Sequence, residues 1–332
     1  MNLSDAKQAL AAYIAADVPA FLWGAPGIGK SQVVAQLAAE MGAGFVDYRL
    51  STLEAVDLRG LPHIESGDVQ WSRPDLFQTV CAFPASQTVL IFFDEMNVIS
   101  QNMMAAAMQL VLDRRVGPHQ LPGNVRIIAA GNRQSDRAAA NRMPTALANR
   151  FAHIDVEADA KAWRAWAALP GNCSPLVHAF IGFRPNLLHK MDGADARAFP
   201  SPRAWIQVSK VANAPDSLLP ALVRGLVGES AAGEFMAFVS TWSRVPKLAD
   251  ILADPAGYPV PDMGQPGLIY ATATMLSHGA TRANFGAVLT YLERMPQDFV
   301  VGAVVDATKR DKTLVDTAAF IDWAARNADV AC

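Results

Sequence analysis

The sequence predicts an α/β fold: a parallel sheet with helices on both faces, followed by a mainly helical second part. Three observations predict it. Short apolar runs alternate with helix-patterned segments through about residue 157, the pattern of strands joined by helical crossovers. The strongest runs are continuously apolar, as strands buried on both faces are. After about residue 158, Ala-, Trp- and Leu-rich helical patterns take over, broken by "LPGNCSP", "FRPN" and "FPSPR". The expected domains are 1–158 for the α/β core and 159–332 for the helical part.

The elements follow in order. Residues 4–15 carry apolar side chains at helical spacing (Ala6, Leu10, Tyr13, Ile14) behind a Ser4 start signal. "AFLW" is a short strand, and "KSQVVAQLAAEMG" a helix ending at Gly42. "FVDYRL" is a second strand. "HIESGDVQW" has a Ser-Gly-Asp turn between two arms and reads as a hairpin. "TVLIFFDE" is a buried strand and "SQNMMAAAMQLVLD" a helix, its methionines set for core packing or for a surface between subunits. "RRVGPHQLPGNVRIIAAGN" gives two extended arms around a Gly/Pro turn, then another buried strand, and "FAHIDVE" is a short one. Trp163 and Trp166 read as core. No fixed-period repeat and no low-complexity linker interrupts the chain.

Composition excludes several classes. Of 332 residues, 52% are hydrophobic and 18% charged, which suits a well-buried globular protein. A net charge of −3 gives no face-wide basic excess for duplex binding. Cys81, Cys173 and Cys332 lie far apart without a CxxC pair and read as reduced thiols. No HxxH or HExxH spacing suggests a transition metal. The N-terminus lacks the apolar core of a secretion signal, and "VLIFF" is too short to span a bilayer. The expectation is a soluble cytoplasmic protein without a membrane partner.

Three motifs carry chemistry. Gly24-Ala25-Pro26-Gly27-Ile28-Gly29-Lys30-Ser31 has the Walker A spacing GxxxxGK[ST], with Gln32 next in the helix. Glycines let successive backbone N–H groups face phosphate oxygens. Lys30 is placed to reach the β- and γ-phosphates, Ser31 to ligate Mg²⁺, and the helix adds its positive dipole end. Asp94-Glu95 close the apolar strand "TVLIFF", the Walker B arrangement. Asp94 suits Mg²⁺ through its water shell, and Glu95 suits orienting and deprotonating the attacking water. Asn132 ends "VRIIAAGN". Alone it would start a turn, but third in this order it suits sensing the γ-phosphate or the lytic water.

"GAPGIGKS", "LIFFDE", "IIAAGN", "LANRF" and "SPRAW", in that order, resemble the AAA+ ATPases. The resemblance covers most of residues 1–210 and implies a P-loop NTPase sheet with a helical lid, using ATP and Mg²⁺. The finer similarity is to the MoxR-like branch, the helix-2-insert clade. Residues 53–77, with "DLRGLPHIESGDVQWSRPDLF", look like its helix-2 insert, and 113–128 like its pre-sensor hairpin. The resemblance implies that Arg150 is an arginine finger reaching a neighbouring subunit's site. It implies that Arg203 is sensor 2 on the lid, in cis or in trans. Guanidinium groups there stabilise charge spreading over the γ-phosphate oxygens. Without the resemblance, either Arg would be read as pairing with a local acid or snorkelling. Arg133 and Arg142 compete for the finger role.

A finger from a neighbour requires head-to-tail assembly, most often a homohexameric ring in this family. Three functions compete. One is a chaperone-like remodeler of a protein substrate or adaptor, in this branch often a von Willebrand A-domain protein, for metal or cofactor insertion or complex assembly. A second is a nucleic-acid motor or loader. It is weakened by Glu65 and Asp68 with no Lys or Arg in the insert "LPHIESGDVQW", and kept open by Arg114 and Arg115. The third is a nucleotide-dependent scaffold with little turnover, against which Glu95 speaks. Beyond about residue 210 the chain exceeds a compact lid, as a partner-binding region or an enlarged lid core.

Overall fold

A computed structural model describes residues 1–133, 136, 143–191 and 197–327. Arg142 therefore lies outside the described residues. The chain divides into two compact units, Met1–Ala158 and Asp159–Cys332.

The first unit opens with helix α1 (Leu3–Ala15), strand β1 (Ala20–Trp23), α2 (Lys30–Glu40) and β2 (Gly44–Asp47). Then come α3 (Ala55–Arg59), β3 (Pro62–Glu65), β4 (Asp68–Trp71), α4 (Asp75–Cys81), β5 (Val89–Phe93) and α5 (Gln101–Asp113). It closes with β6 (Arg115–Val116), β7 (His119–Gln120), β8 (Val125–Gly131), α6 (Thr145–Ala148) and β9 (Ala152–Asp155). The α1 start differs from the sequence expectation. Asn2, not Ser4, is the N-cap, and its side chain accepts from the Asp5 N–H at 2.9 Å. The second strand stops at Asp47, and Leu50–Thr52 turn as a 3₁₀ helix.

Five strands form a parallel sheet in the order β2-β5-β8-β1-β9. The interior strand β5 is buried along its whole length. Val89, Ile91 and Phe93 join one core with Leu76, Phe77 and the α5 methionines Met103 and Met104. Leu90 and Phe92 join the opposite core with Leu10, Val34 and Leu37 from α1 and α2. That alternation explains why the strand reads as a continuous apolar run. Truncating Phe92 to Ala would cost about 3–5 kcal/mol. The carboxyl ends of β1, β5 and β8 lie side by side, where parallel α/β sheets place their ligands.

Two hairpins branch from this sheet. In β3–β4, Ser66 and Gly67 both have positive φ (54° and 91°), the two-residue turn that matches strand twist. Pro62 pairs with Trp71 and Ile64 with Val69, so four apolar residues share one face. His63, Glu65, Asp68 and Gln70 share the other. All eight residues are exposed, Ile64 to 79%. The β6–β7 pair turns at Gly117, φ 55°.

The second unit is helical: α7 (Ala160–Ala167), α8 (Pro175–Phe183), α9 (Pro202–Val211), α10 (Leu219–Val227) and α11 (Glu229–Trp242). Then follow α12 (Leu248–Ala253), α13 (Pro266–Gly279), α14 (Phe285–Leu292), α15 (Gln297–Arg310) and α16 (Ala318–Arg326). Asp159, Ser174, Ser201 and Thr317 cap α7, α8, α9 and α16 through their side chains. Pro175 and Pro202 sit in the first turns, where a missing N–H is harmless. Trp205 is fully buried among Phe180 and Phe235, and its indole N–H donates to the Leu187 carbonyl at 2.7 Å. Trp163 packs inside as expected, Trp166 only partly. Among the described residues, no helix is long and apolar enough to cross a membrane.

Candidate nucleotide site

The loop between β1 and α2 has a shape that only glycine accepts at three points. Gly27 and Gly29 have φ of 79° and 105°, left-handed backbone that side chains disfavour. At Gly24, a Cβ would stand 2.7 Å from the Val156 carbonyl oxygen and 2.6 Å from the Ile28 Cδ1. The Gly24 N–H donates to the Gly131 carbonyl at 3.3 Å, tying the loop to the end of β8. Ile28 is buried and anchors the loop, while Ala25, Pro26 and Gly27 stay partly open. Gly29 caps α2 with no side-chain bond, so the first N–H groups of Lys30, Ser31 and Gln32 face outward with the helix dipole. Gln32 is exposed.

Lys30 is only 7% exposed. Its ammonium donates to the carbonyls of Gly24 at 2.6 Å and Ala25 at 3.1 Å, and to Asn132 Oδ1 at 3.0 Å. The loop lysine and the polar end of β8 therefore touch across 102 positions of sequence. The Ser31 hydroxyl donates to Asp94 Oδ2 at 2.8 Å, which brings the two expected metal ligands together. Hard oxygen donors of this kind suit Mg²⁺, and the open N–H groups beside a lysine suit a polyphosphate. The residues present thus fit both groups.

Glu95 leaves β5 in the left-handed region, φ 53°, an uncommon conformation for a side-chain-bearing residue. Its N–H donates to Asp94 Oδ1 at 2.9 Å, and its carboxylate accepts a long bond from the Ser51 hydroxyl at 3.4 Å. The side chain is exposed at the mouth of the site. Asp47, at the end of β2, is a third acid nearby. Burial pushes its carboxyl up most, Arg49 opposes, and the Asp94 charge adds to the rise. Sequence reasoning missed Ser51, Asp47 and Asn97. Of these, only Asn97 left a sequence trace, as a polar residue two places after Glu95.

The candidate arginines divide. Arg133 is bound to Asp155 at 3.1 Å, to Glu157 at 3.7 Å and to the Val156 carbonyl at 2.8 Å, so it is pinned where it stands. Arg150 follows α6 and is exposed, and Arg203 is exposed in the first turn of α9. Neither makes a side-chain hydrogen bond or ion pair among the described residues. The structure thus brings together the loop, Lys30, Ser31, Asp94, Glu95 and Asn132, and it leaves Arg150 outside that group's bonds among the described residues.

Residues 20–156 match the AAA family, the ATPase family associated with various cellular activities. The match runs from the first residue of β1 to just past β9, and the fold is that of an AAA P-loop NTPase. No curated protein matches the chain. Among solved structures, a "putative ATPase" from Cytophaga hutchinsonii is 16% identical, over 68% of this chain and 77% of its own, with a TM-score of 0.35. A proline-to-glycine mutant of Thermotoga maritima RuvB is 11% identical, over 98% of this chain and 88% of its own, also at 0.35. At such scores neither likeness bears on what this chain acts on.

Proposed function

We propose that this chain is a MoxR-like AAA+ ATPase that assembles head-to-tail into a ring and remodels a partner protein. The observation that carries the ATPase reading is the meeting of Lys30 with Asn132 and of Ser31 with Asp94 at adjacent strand ends. ATP binds at Gly24–Gln32, where the N–H groups and Lys30 take the phosphates. Ser31 and Asp94 would hold Mg²⁺, which would supply positive charge against the phosphates. Glu95 takes the proton of the attacking water, and Asn132 fixes the γ-phosphate side. Arg150 of one subunit, without a side-chain partner among the described residues of its own chain, completes the neighbour's site, and Arg203 serves as sensor 2.

The protein target rests on the β3–β4 hairpin. Its exposed face of Pro62, Ile64, Val69 and Trp71 is apolar, and its other face carries Glu65 and Asp68. Such a surface suits polypeptide and repels a phosphate backbone. The opposing argument from the β6–β7 arm is weaker than the sequence suggested. Arg114 is spent on Asp17 at 3.4 Å and on the Pro122 and Val125 carbonyls, which leaves Arg115 as the exposed cation of that pair.

Two experiments test this reading. Mixed rings of Arg150→Ala and Glu95→Gln subunits contain some interfaces with both groups intact, so part of the activity returns. Demonstrably mixed rings without recovery would remove the trans role of Arg150. Affinity capture with Glu95→Gln and ATP retains a protein partner, and recovery of DNA or RNA instead would overturn the choice of target.

A further inference from the structure

Asn97 sits in the 3₁₀ turn Met96–Val98 that follows Glu95, and it is 1% exposed. Its Nδ2 donates to the Asn132 backbone carbonyl at 2.7 Å. Its Oδ1 has no hydrogen-bond partner among the described residues. The amide cannot be turned over to cure this, because that would set two oxygens against each other at the Asn132 carbonyl. The same Oδ1 lies against Gly131, where a Cβ would stand 2.3 Å from it. An apolar side chain would fill the space without burying an unsatisfied acceptor. The position thus tolerates a penalty for the sake of the Nδ2 donor.

That donor closes a circuit. The Gly131 carbonyl accepts from the loop at Gly24, and the Asn132 side chain accepts from Lys30. The Asn132 carbonyl accepts from Asn97, two residues past Glu95. We propose that Asn97 is a positioning residue, which locks the turn bearing Glu95 to the backbone of Asn132. The γ-phosphate contact of Asn132 and the water-activating carboxylate then hold one fixed separation. It acts through Asn132 and Glu95 and touches no reacting atom. The same geometry explains glycine at position 131, since any side chain would displace the Asn97 amide.

This inference rests on the ATPase reading, and the test separates the two. Parent, Glu95→Gln, Asn97→Ala, Asn97→Asp, Asn132→Ala and Asn97→Ala/Asn132→Ala proteins are assayed for ATP affinity and for steady-state turnover. Asn97→Ala should lower kcat about tenfold to a hundredfold, with ATP affinity changed less than about threefold. The double variant should be no slower than Asn132→Ala, since both act along one path. Asn97→Asp should be slow at high pH and recover relative to the parent between about pH 8 and pH 6, because a buried carboxyl regains its donor when protonated. A purely structural role would not give that recovery. Parent-like turnover in Asn97→Ala, additive losses in the double variant, or an Asn97→Asp rate that ignores pH would each overturn the proposal. If the parent shows no hydrolysis, or Glu95→Gln matches it, the ATPase reading fails and takes this inference with it. A parent that hydrolyses ATP beside an inert Glu95→Gln confines any failure to Asn97.

Discussion

Each unit of the chain holds a polar cluster, and the two are built on different principles. In the first unit, Asp94 and Asn132 at strand ends meet Lys30 and Ser31 from the start of α2 and Asn97 from a 3₁₀ turn, and three of these five bonds go to backbone carbonyls. In the second, Arg164 from α7 pairs with Asp306 from α15 at 2.5 Å, with His178 from α8 4.0 Å from the same carboxylate. His178 and His278 from α13 meet at 3.0 Å. Arg164 also lies over the Tyr270 ring, 5.5 Å from its centroid. That cluster is made of side chains from four helices, and burial is its dominant electrostatic fact. Burial, with Arg164 and His278 adding, pushes His178 down to about 3. Burial, with Arg310 and Arg164 adding, pushes His278 down to about 4. A cluster at the carboxyl ends of strands can trade its internal bonds for a ligand's, whereas one among helices trades them only for unfolding.

The sharpest test of that contrast is Lys30→Ala. Nucleotide affinity should fall about 10²–10⁴-fold by calorimetry, the scale of losing a desolvated charge partner. The melting temperature should move only a few degrees. An affinity within a few-fold of the parent would show that the loop does not take phosphate. Asp306→Ala should do the reverse, because it strands the Arg164 cation and should cost the protein about 3–4 kcal/mol in denaturant titrations. Replacing both partners with leucine should recover most of that loss. A full loss in the double variant would mean the pair itself is the stabilising element.

Acid should act on the second cluster next. Both histidines are held neutral when folded and protonate near 6.5 when unfolded, so the unfolded chain binds more protons below that value. Their stabilisation is present above about pH 6.5 and is lost as pH falls toward about 4 and then 3. Asp306 works against them, since burial raises its carboxyl, foremost over the Arg164 charge. The net expectation is a loss of stability between about pH 7 and pH 5, smaller than the two histidines alone would give. His278→Asn should flatten that slope, and an unchanged slope would remove the histidines from the account. The smallest effect belongs to Ile64→Ser. At 79% exposure it should change stability by less than about 0.5 kcal/mol, yet it should weaken partner capture by Glu95→Gln. A large loss of stability would mean the hairpin face is covered within the chain.

The two clusters were also unequally legible. The first lay open in the sequence because its chemistry demands residues at fixed spacing. Glycines allow positive φ at 27 and 29, a lysine and a hydroxyl open a helix, and acids end a strand. The sheet was legible too, since "VLIFF" and "VRIIAAGN" read as buried strands between helices. Asn97 was hidden, because its meaning depends on the turn after Glu95 facing Gly131, which no spacing records. The second cluster was hidden for a deeper reason. Arg164, His178, His278 and Asp306 are scattered over four helices, and only helix packing puts them together.

The β3–β4 hairpin has a thermodynamic consequence of its own. It is a two-stranded ribbon with all eight residues in solvent, and such ribbons are only marginally ordered by themselves. Anything that seats on its apolar face must also supply the free energy of holding the ribbon still. Grip there is weak for the area it covers, and release is correspondingly fast. For the ring proposed above, a contact of that kind would let go between strokes.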